Sequence, residues 1–362
     1  MDSISLNRFN ALLLFFILLV VALYFGRLFL VPFTFGTLLA MLLVPVCRWL
    51  EKHHINRVPA VFISLFLVLL FIIGLFAIIS AQIVNFSNEL PQMQQRLGET
   101  LNTLQKWVEQ QLGVEPQKQI QLLKKAASNL FKSANSQATA LVSGVVGGFT
   151  NFAIVVIYVF FLLWKREKYE SFVLQLTEKE HHSQVKDTLY EITKVASEYL
   201  GGRLLSMAML AVIYVVGFSI IGLKNAVLLG LIAVIPTIIP YVGPLIGAFF
   251  PLVMALTSGD TGAFVPVVLV LVAAQAMDNY FIEPFVLGSN LSLSPFMTIV
   301  SIVIGELIWG VAGMILFIPL FAIIKIVCDH IPVLQPYGFL LGEDDDGKPA
   351  WIDKIKKLLK KK

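Results

Sequence analysis

Gln275, Asp278, Asn279 and Glu283 crowd into QAMDNYFIEP, inside a stretch that is otherwise apolar. Spacings of three and four residues align on a helix, so Gln275, Asp278 and Asn279 share one face. A charge deep in a lipid bilayer costs at least ~2.5 kcal/mol and rarely stays there without a partner or a role. At the membrane interface the cost is small. The group is read either as polar lining, closed off by Pro284, or as ordinary interfacial polarity. Glu306, in IVIGELIWG, has apolar neighbours on both sides. It carries a proton, pairs, or lines a polar path. Glu283 and Glu306 are therefore candidates for handling a proton or a monovalent cation.

A second constellation is backbone rather than side chain. The stretch IPTIIPYVGPLIG at 235–247 places Pro236, Pro240, Gly243, Pro244 and Gly247 in an apolar region, and Pro251 follows. Proline removes a backbone donor and clashes with the preceding turn, so no straight helix is expected over 226–256. The predicted form is a broken or re-entrant helix. Broken backbone at membrane depth must face protein or a wet cavity, because lipid cannot satisfy it. Thr237 and Tyr241 add hydroxyls there. The alternative is a proline kink that only shapes packing.

Enzyme signatures are missing. The sequence holds no H-E-x-x-H, G-x-S-x-G or G-x-x-x-x-G-K-[ST], which excludes an ATP-driven pump of the common type on this chain alone. His53-His54 and His181-His182 read as solvated loop residues. Cys47 and Cys328 lie far apart and in no motif, so neither a disulfide framework nor a zinc site is indicated. No catalytic residue, metal or cofactor is expected, and nothing suggests nucleic acid as a partner.

The elements that must position these groups follow from composition. Of 362 residues, 57% are hydrophobic and 14% charged, with a net charge of +4 and a mean hydropathy of +0.83. A soluble core at this length cannot hide so much apolar surface, and lipid is the second solvent. The fold class is all-α: a polytopic transmembrane helical bundle of about eight membrane segments, each needing roughly 20 apolar residues. One segment is broken or re-entrant, and an external amphipathic helical hairpin is inserted.

Residues 1–83 carry segments 1–3, the first read as a retained helix and not a signal peptide. Residues 84–143 form the external hairpin, with apolar stripes through Met93, Leu97 and Leu101 and through Ile120, Leu123 and Ala127, broken at Gly113 and Pro116. Segment 4 occupies 144–165. Cytoplasmic amphipathic helices fill 166–203, segments 5–8 fill 204–328, and the eighth segment is a single stretch over 296–327. A cytoplasmic tail at 329–362 ends in a basic amphipathic helix, Lys354 to Lys362, suited to an anionic lipid surface. Basic residues at Arg48, Lys52, Arg57, Lys165, Arg166 and Lys168 put those ends inside, with both termini cytoplasmic.

On these residues the chain resembles the AI-2E transporter family, a group of bacterial multi-pass permease-like proteins. The matching pieces are IPYVGPLIG at 239–247, NYFIEPFVLGSNLSLSP at 279–295, and the pattern from Gly310 through Gly313 to Pro319. Pro32, Pro45, Arg48 and the basic link to Pro59 also fit. The resemblance implies an exporter-like transporter of a bacterial cytoplasmic (inner) membrane. Some members are associated with release of autoinducer-2 and others with sodium- or lithium-proton antiport. It also implies a homo-oligomer, a pentamer by family likeness, with sliding of a helical unit as the transport step. Pro240, Tyr241, Gly243, Pro244, Asn279, Glu283, Pro284, Gly288 and Pro295 carry over as motif positions and translocation candidates.

Three functions fit this reading. The leading one is a secondary exporter of a small polar organic solute, autoinducer-2-like, using 235–247 with Gln275, Asp278, Asn279 and Glu283. The second is a sodium(lithium)/proton antiporter using Glu283 and Glu306. The third is a non-transporting membrane scaffold built on the hairpin and the tail.

Overall fold

The computed structural model describes residues 6–112, 117–143, 145–257, 261–286 and 293–343, and these are helical nearly throughout. The helices are α1 (Leu6–Phe25), α2 (Arg27–Lys52), α3 (Arg57–Leu112), α4 (Gln117–Ser143), α5 (Val145–Trp164), α6 (Arg166–Gln175), α7 (His182–Ile221), α8 (Ala226–Val234), α9 (Val242–Thr257), α10 (Phe264–Met277), α11 (Glu283–Val286), α12 (Pro295–Trp309), α13 (Val311–His330) and α14 (Gln335–Leu341). Five described stretches are long and apolar enough to cross a membrane: Arg27–Lys52, Arg57–Leu75, Lys179–Ile221, Phe264–Val286 and Val311–His330. Shorter apolar helices accompany them, and the protein is an all-α polytopic membrane bundle.

Two compact units emerge. One comprises Met1–Thr34, Glu167–Tyr199 and Ser289–Lys362; the other comprises Phe35–Arg166 and Leu200–Gly288. The second unit holds the larger core. Leu210, Tyr214 and Phe218 of α7, Leu228, Leu229 and Ala233 of α8, and Val253, Met254 and Ala255 of α9 pack together with Met93 and Leu97 of α3. A separate cluster joins α2, α3 and α5 through Leu43, Cys47, Val61, Val159 and Leu163. In the first unit, α12 and α13 form a tight pair. Trp309 of α12 donates its indole N–H to the Leu23 carbonyl of α1 at 2.9 Å.

Several boundaries differ from the sequence reading. The third membrane segment and the first stripe of the outer hairpin are one 56-residue helix, α3, which carries Pro91 internally. Likewise α7 runs 40 residues without a break, joining the expected cytoplasmic helix to the fifth segment. The region 226–256 is a broken helix, interrupted once. A 3₁₀ turn at Ile235–Ile238 ends α8, a turn at 239–241 reverses the chain, and Pro251 sits inside α9. A helix tolerates proline where neighbouring helices re-satisfy the freed carbonyl.

The largest correction concerns the eighth segment. It is not one helix over 296–327 but the hairpin α12–α13, reversed at Gly310, whose φ of 63° is open to glycine at little cost. Ser294 caps the first arm by accepting from the Met297 amide at 3.2 Å, and Pro295 takes the first helical position. The arms touch backbone to backbone: a Cβ on Gly313 would lie 1.8 Å from the Gly305 carbonyl oxygen. The basic tail helix at Lys354 to Lys362, the break at Gly113 and Pro116, and Gly288 lie outside the described residues.

Candidate functional site

The α8–α9 hairpin carries the first part of the site on its turn. Its first arm, α8 with the 3₁₀ turn, spans 13 residues to Ile238, about 20 Å of helix. That is too short to cross a hydrocarbon core of about 30 Å. The chain does not run on past this turn but reverses there. Close contact makes the return possible: a Cβ on Gly243 would lie 2.0 Å from the Pro236 carbonyl oxygen, and one on Gly247 would lie 2.1 Å from that of Ala233. At the turn, Tyr241 takes φ 65°. A bulky residue there is a genuine outlier, of a kind that clusters at ligand clamps and switches. Its side chain is 56% exposed, and Pro240 and Pro244 flank it.

Helix α7 supplies the cation. Arg203 and Ser206 are one turn apart and both buried, Arg203 to 6% exposure. The Arg203 guanidinium donates to the Thr237 carbonyl in the hairpin turn, while Thr237 donates its hydroxyl to the Val234 carbonyl at 2.6 Å. Asp278, 2% exposed, faces the same guanidinium at 3.8 Å and accepts from the Ser206 hydroxyl at 2.5 Å. Asp278 opens a π-helical segment, Asp278–Ile282, between α10 and α11. Such bulges occur frequently at functional sites.

Magnitudes argue that this cluster is more than filler. At 3.8 Å and an effective dielectric near 20, the pair attracts by about 4 kcal/mol. Desolvating each ion costs several kcal/mol. The two nearly cancel, so an apolar pair would serve stability as well. Arg203 is also incompletely engaged: its Nε has no hydrogen-bond partner among the described residues, and neither has Gln275 Oε1. Both atoms are buried with their hydrogen-bonding capacity unused.

The remaining candidates divide. Gln275 donates to Asn279 across one turn at 3.0 Å, which joins two of the three residues expected on one face; Asp278 is buried and Asn279 exposed. Glu283, partly buried, interacts electrostatically with Arg203 and Asp278, and Tyr241 with Glu283. Pro284 follows on α11. Thus the hairpin turn, Arg203, Asp278 and Glu283 come together. Pro295 and Glu306 do not belong to this cluster; both are exposed residues of α12 in the other unit. Glu306 sits just before the Gly310 reversal, not in the middle of a crossing helix.

Arg203 is the residue that sequence reasoning missed. Placing the fifth segment after it left it with the soluble charges of 166–203. The available signal was GGRLLS, a lone cation flanked by small residues and followed by an uninterrupted apolar run. Among the described residues, no group of three or more His, Cys, Asp or Glu side chains is placed to hold a metal ion.

Comparison with known proteins adds the following. The family model of AI-2E family transporters matches residues 13–332. YueF of Bacillus subtilis, named as a proposed transport protein, is 26% identical over 337 residues, covering 88% of this chain and 88% of that protein. YrrI of the same organism, named in the same way, is 26% identical over 83% of this chain and 86% of its own length. YhhT of Escherichia coli K12, also named as a proposed transport protein, is 22% identical over 84% and 85%.

Proposed function

Because the chain belongs to the AI-2E family of membrane transporters, we propose that it is a secondary exporter of a small polar organic solute, autoinducer-2-like, and that the solute passes the α8–α9 turn. The observation that carries this is the buried Arg203–Asp278 pair under a proline-broken turn. A buried, incompletely engaged guanidinium next to exposed backbone dipoles is suited to a hydroxyl-rich solute. Arg203 Nε donates, the free Gln275 Oε1 accepts, and Tyr241 and Glu283 border the way in. Because the chain reverses in the hairpin, solute need meet only one constriction at its turn.

Efflux of a labelled autoinducer-2-like solute from proteoliposomes tests this. Wild type is expected to empty vesicles faster than protein-free controls. Glu283→Gln and Pro240→Ala are each expected to slow efflux at least ~10-fold, the equivalent of 1.4 kcal/mol in the barrier. Unchanged efflux in both would remove the turn and Glu283 from the pathway.

A second reading, sodium(lithium)/proton antiport, is favoured by one observation: Glu283 stands beside a pair whose only cation, Arg203, already faces Asp278. A carboxylate left over in this way suits exchange of a proton for a monovalent cation. A pH-sensitive dye trapped in the same vesicles would respond to added sodium, and Glu283→Gln would abolish the response. The proposal also includes a bacterial inner-membrane location, cytoplasmic termini and a homo-oligomer, with a pentamer favoured by family likeness.

A further inference from the structure

Helix α4 carries Lys118, Lys124, Lys125 and Lys132 and not one Asp or Glu. Its buried face is Ile120, Ala127 and Phe131, and Lys124 on that side donates to Asn102 of α3. A second apolar stripe is left over. Leu122 is 67% exposed and Leu123 56%, and Ala126, exposed, and Leu130, partly buried, extend it. Lys118, Lys125 and Lys132 recur at seven-residue spacing, so they form one row along the edge of that stripe. All three are exposed.

The placement of α4 is set by α9. Arg96 of α3 donates to the carbonyl of Thr257, the last residue of α9, at 2.7 Å. Phe131 of α4 packs edge-on against Phe249 and Phe250, with ring centroids 5.7 and 6.0 Å away. Thr257 and Phe249 are two turns apart, about 12 Å along the helix. Yet Phe131 lines the same α3–α4 cleft as Leu97, the residue after Arg96. Helix α9 therefore contacts both members of the α3–α4 pair. Phe131 of α4 packs against the apolar middle of α9.

We propose that α4 is an interfacial helix, seating its Leu122–Leu123 stripe at the acyl boundary while the lysine row binds the headgroups of anionic phospholipid. The lysine stems are long enough to let the leucines sink while the ammonium groups stay among the phosphates. An acidic face of a second copy is the other candidate occupant. The nearest acids on the neighbouring helix serve it poorly, because Gln95 already donates to Glu99 and Gln105 to Glu109.

The test uses the full chain with Cys47 and Cys328 replaced by Ala and a spin label at Leu122→Cys, reconstituted in phosphatidylcholine with or without phosphatidylglycerol. With phosphatidylglycerol the label is expected about 5–10 Å below the phosphates, read from oxygen against nickel-chelate accessibility. A label at Gln121→Cys stays aqueous. Combining Lys118→Gln, Lys125→Gln and Lys132→Gln is expected to lower the docked-to-free ratio on the order of a hundredfold, since each lysine near an anionic surface contributes about fivefold. A label at 122 that is water-exposed in both lipids overturns the proposal. So does spin–spin broadening that is insensitive to lipid and vanishes on dilution with unlabelled protein, because the occupant is then a second copy.

Discussion

At the scale of single residues, the molecule turns on Arg203 and Asp278. Removing one partner of a buried pair leaves an uncompensated charge, so Asp278→Asn is expected to destabilise by about 3–5 kcal/mol. The double change Arg203→Met with Asp278→Leu is expected to recover most of that loss. Thermal unfolding in detergent checks both. If the pair exists for transport, the double variant folds and still fails to move solute. Equal unfolding for the single and double variants would count against a tightly coupled pair. The sequence disclosed half of this pair. Asp278 stood out because the apolar run around it makes its charge anomalous, and the Gln275–Asn279 contact followed from helical spacing alone. Arg203 did not, because a cation at the edge of an apolar segment looks like a boundary marker. Its partner is 75 positions away (278 less 203), and spacing rules see only one element at a time.

At the scale of elements, two stretches that read in the sequence as one segment each, 226–256 and 296–327, are the hairpins α8–α9 and α12–α13. The first was legible as a broken or re-entrant helix, but prolines announce interruption without choosing between a kink and a reversal. Only the run from Ile235 to Tyr241 interrupts the helix; Pro251 and Pro319 stay inside helices. The second was hidden, since Gly310 within an apolar stretch is compatible with an unbroken helix and only its positive φ makes it a corner. The backbone contact of the second hairpin gives a direct prediction. Gly313→Ala places a methyl group where the Gly305 carbonyl stands, and is expected to cost about 1–3 kcal/mol by overpacking. Gly74→Ala on α3, where nothing lies within 4 Å of an added Cβ, is the matched control. It should be neutral or stabilising by about 0.5–1 kcal/mol, through helix propensity. Melting temperatures of the two variants decide the matter.

At the scale of the whole chain, basic residues fix the expected sidedness. A cysteine at Gln121, on α4, should react with a membrane-impermeant maleimide in intact cells. A cysteine at His181, in the exposed 3₁₀ turn Lys179–His181, should react only after permeabilisation. The native Cys47 and Cys328 are buried and give little background. The opposite labelling pattern would invert the proposed orientation. The architecture class was readable from composition because lipid-length apolar runs admit few alternatives. The join between helical insert and membrane helix was not, since a change of hydropathy leaves hydrogen bonding along α3 and α7 unbroken. The returning hairpins carry one more implication. Each sends the chain back antiparallel to itself, arm against arm, so it adds little net displacement along the path of the backbone. The position of every later residue is then indifferent to how far the arms reach: a turn such as 239–241 can be reshaped, or both arms shortened together, while the chain still leaves the hairpin beside the point where it entered.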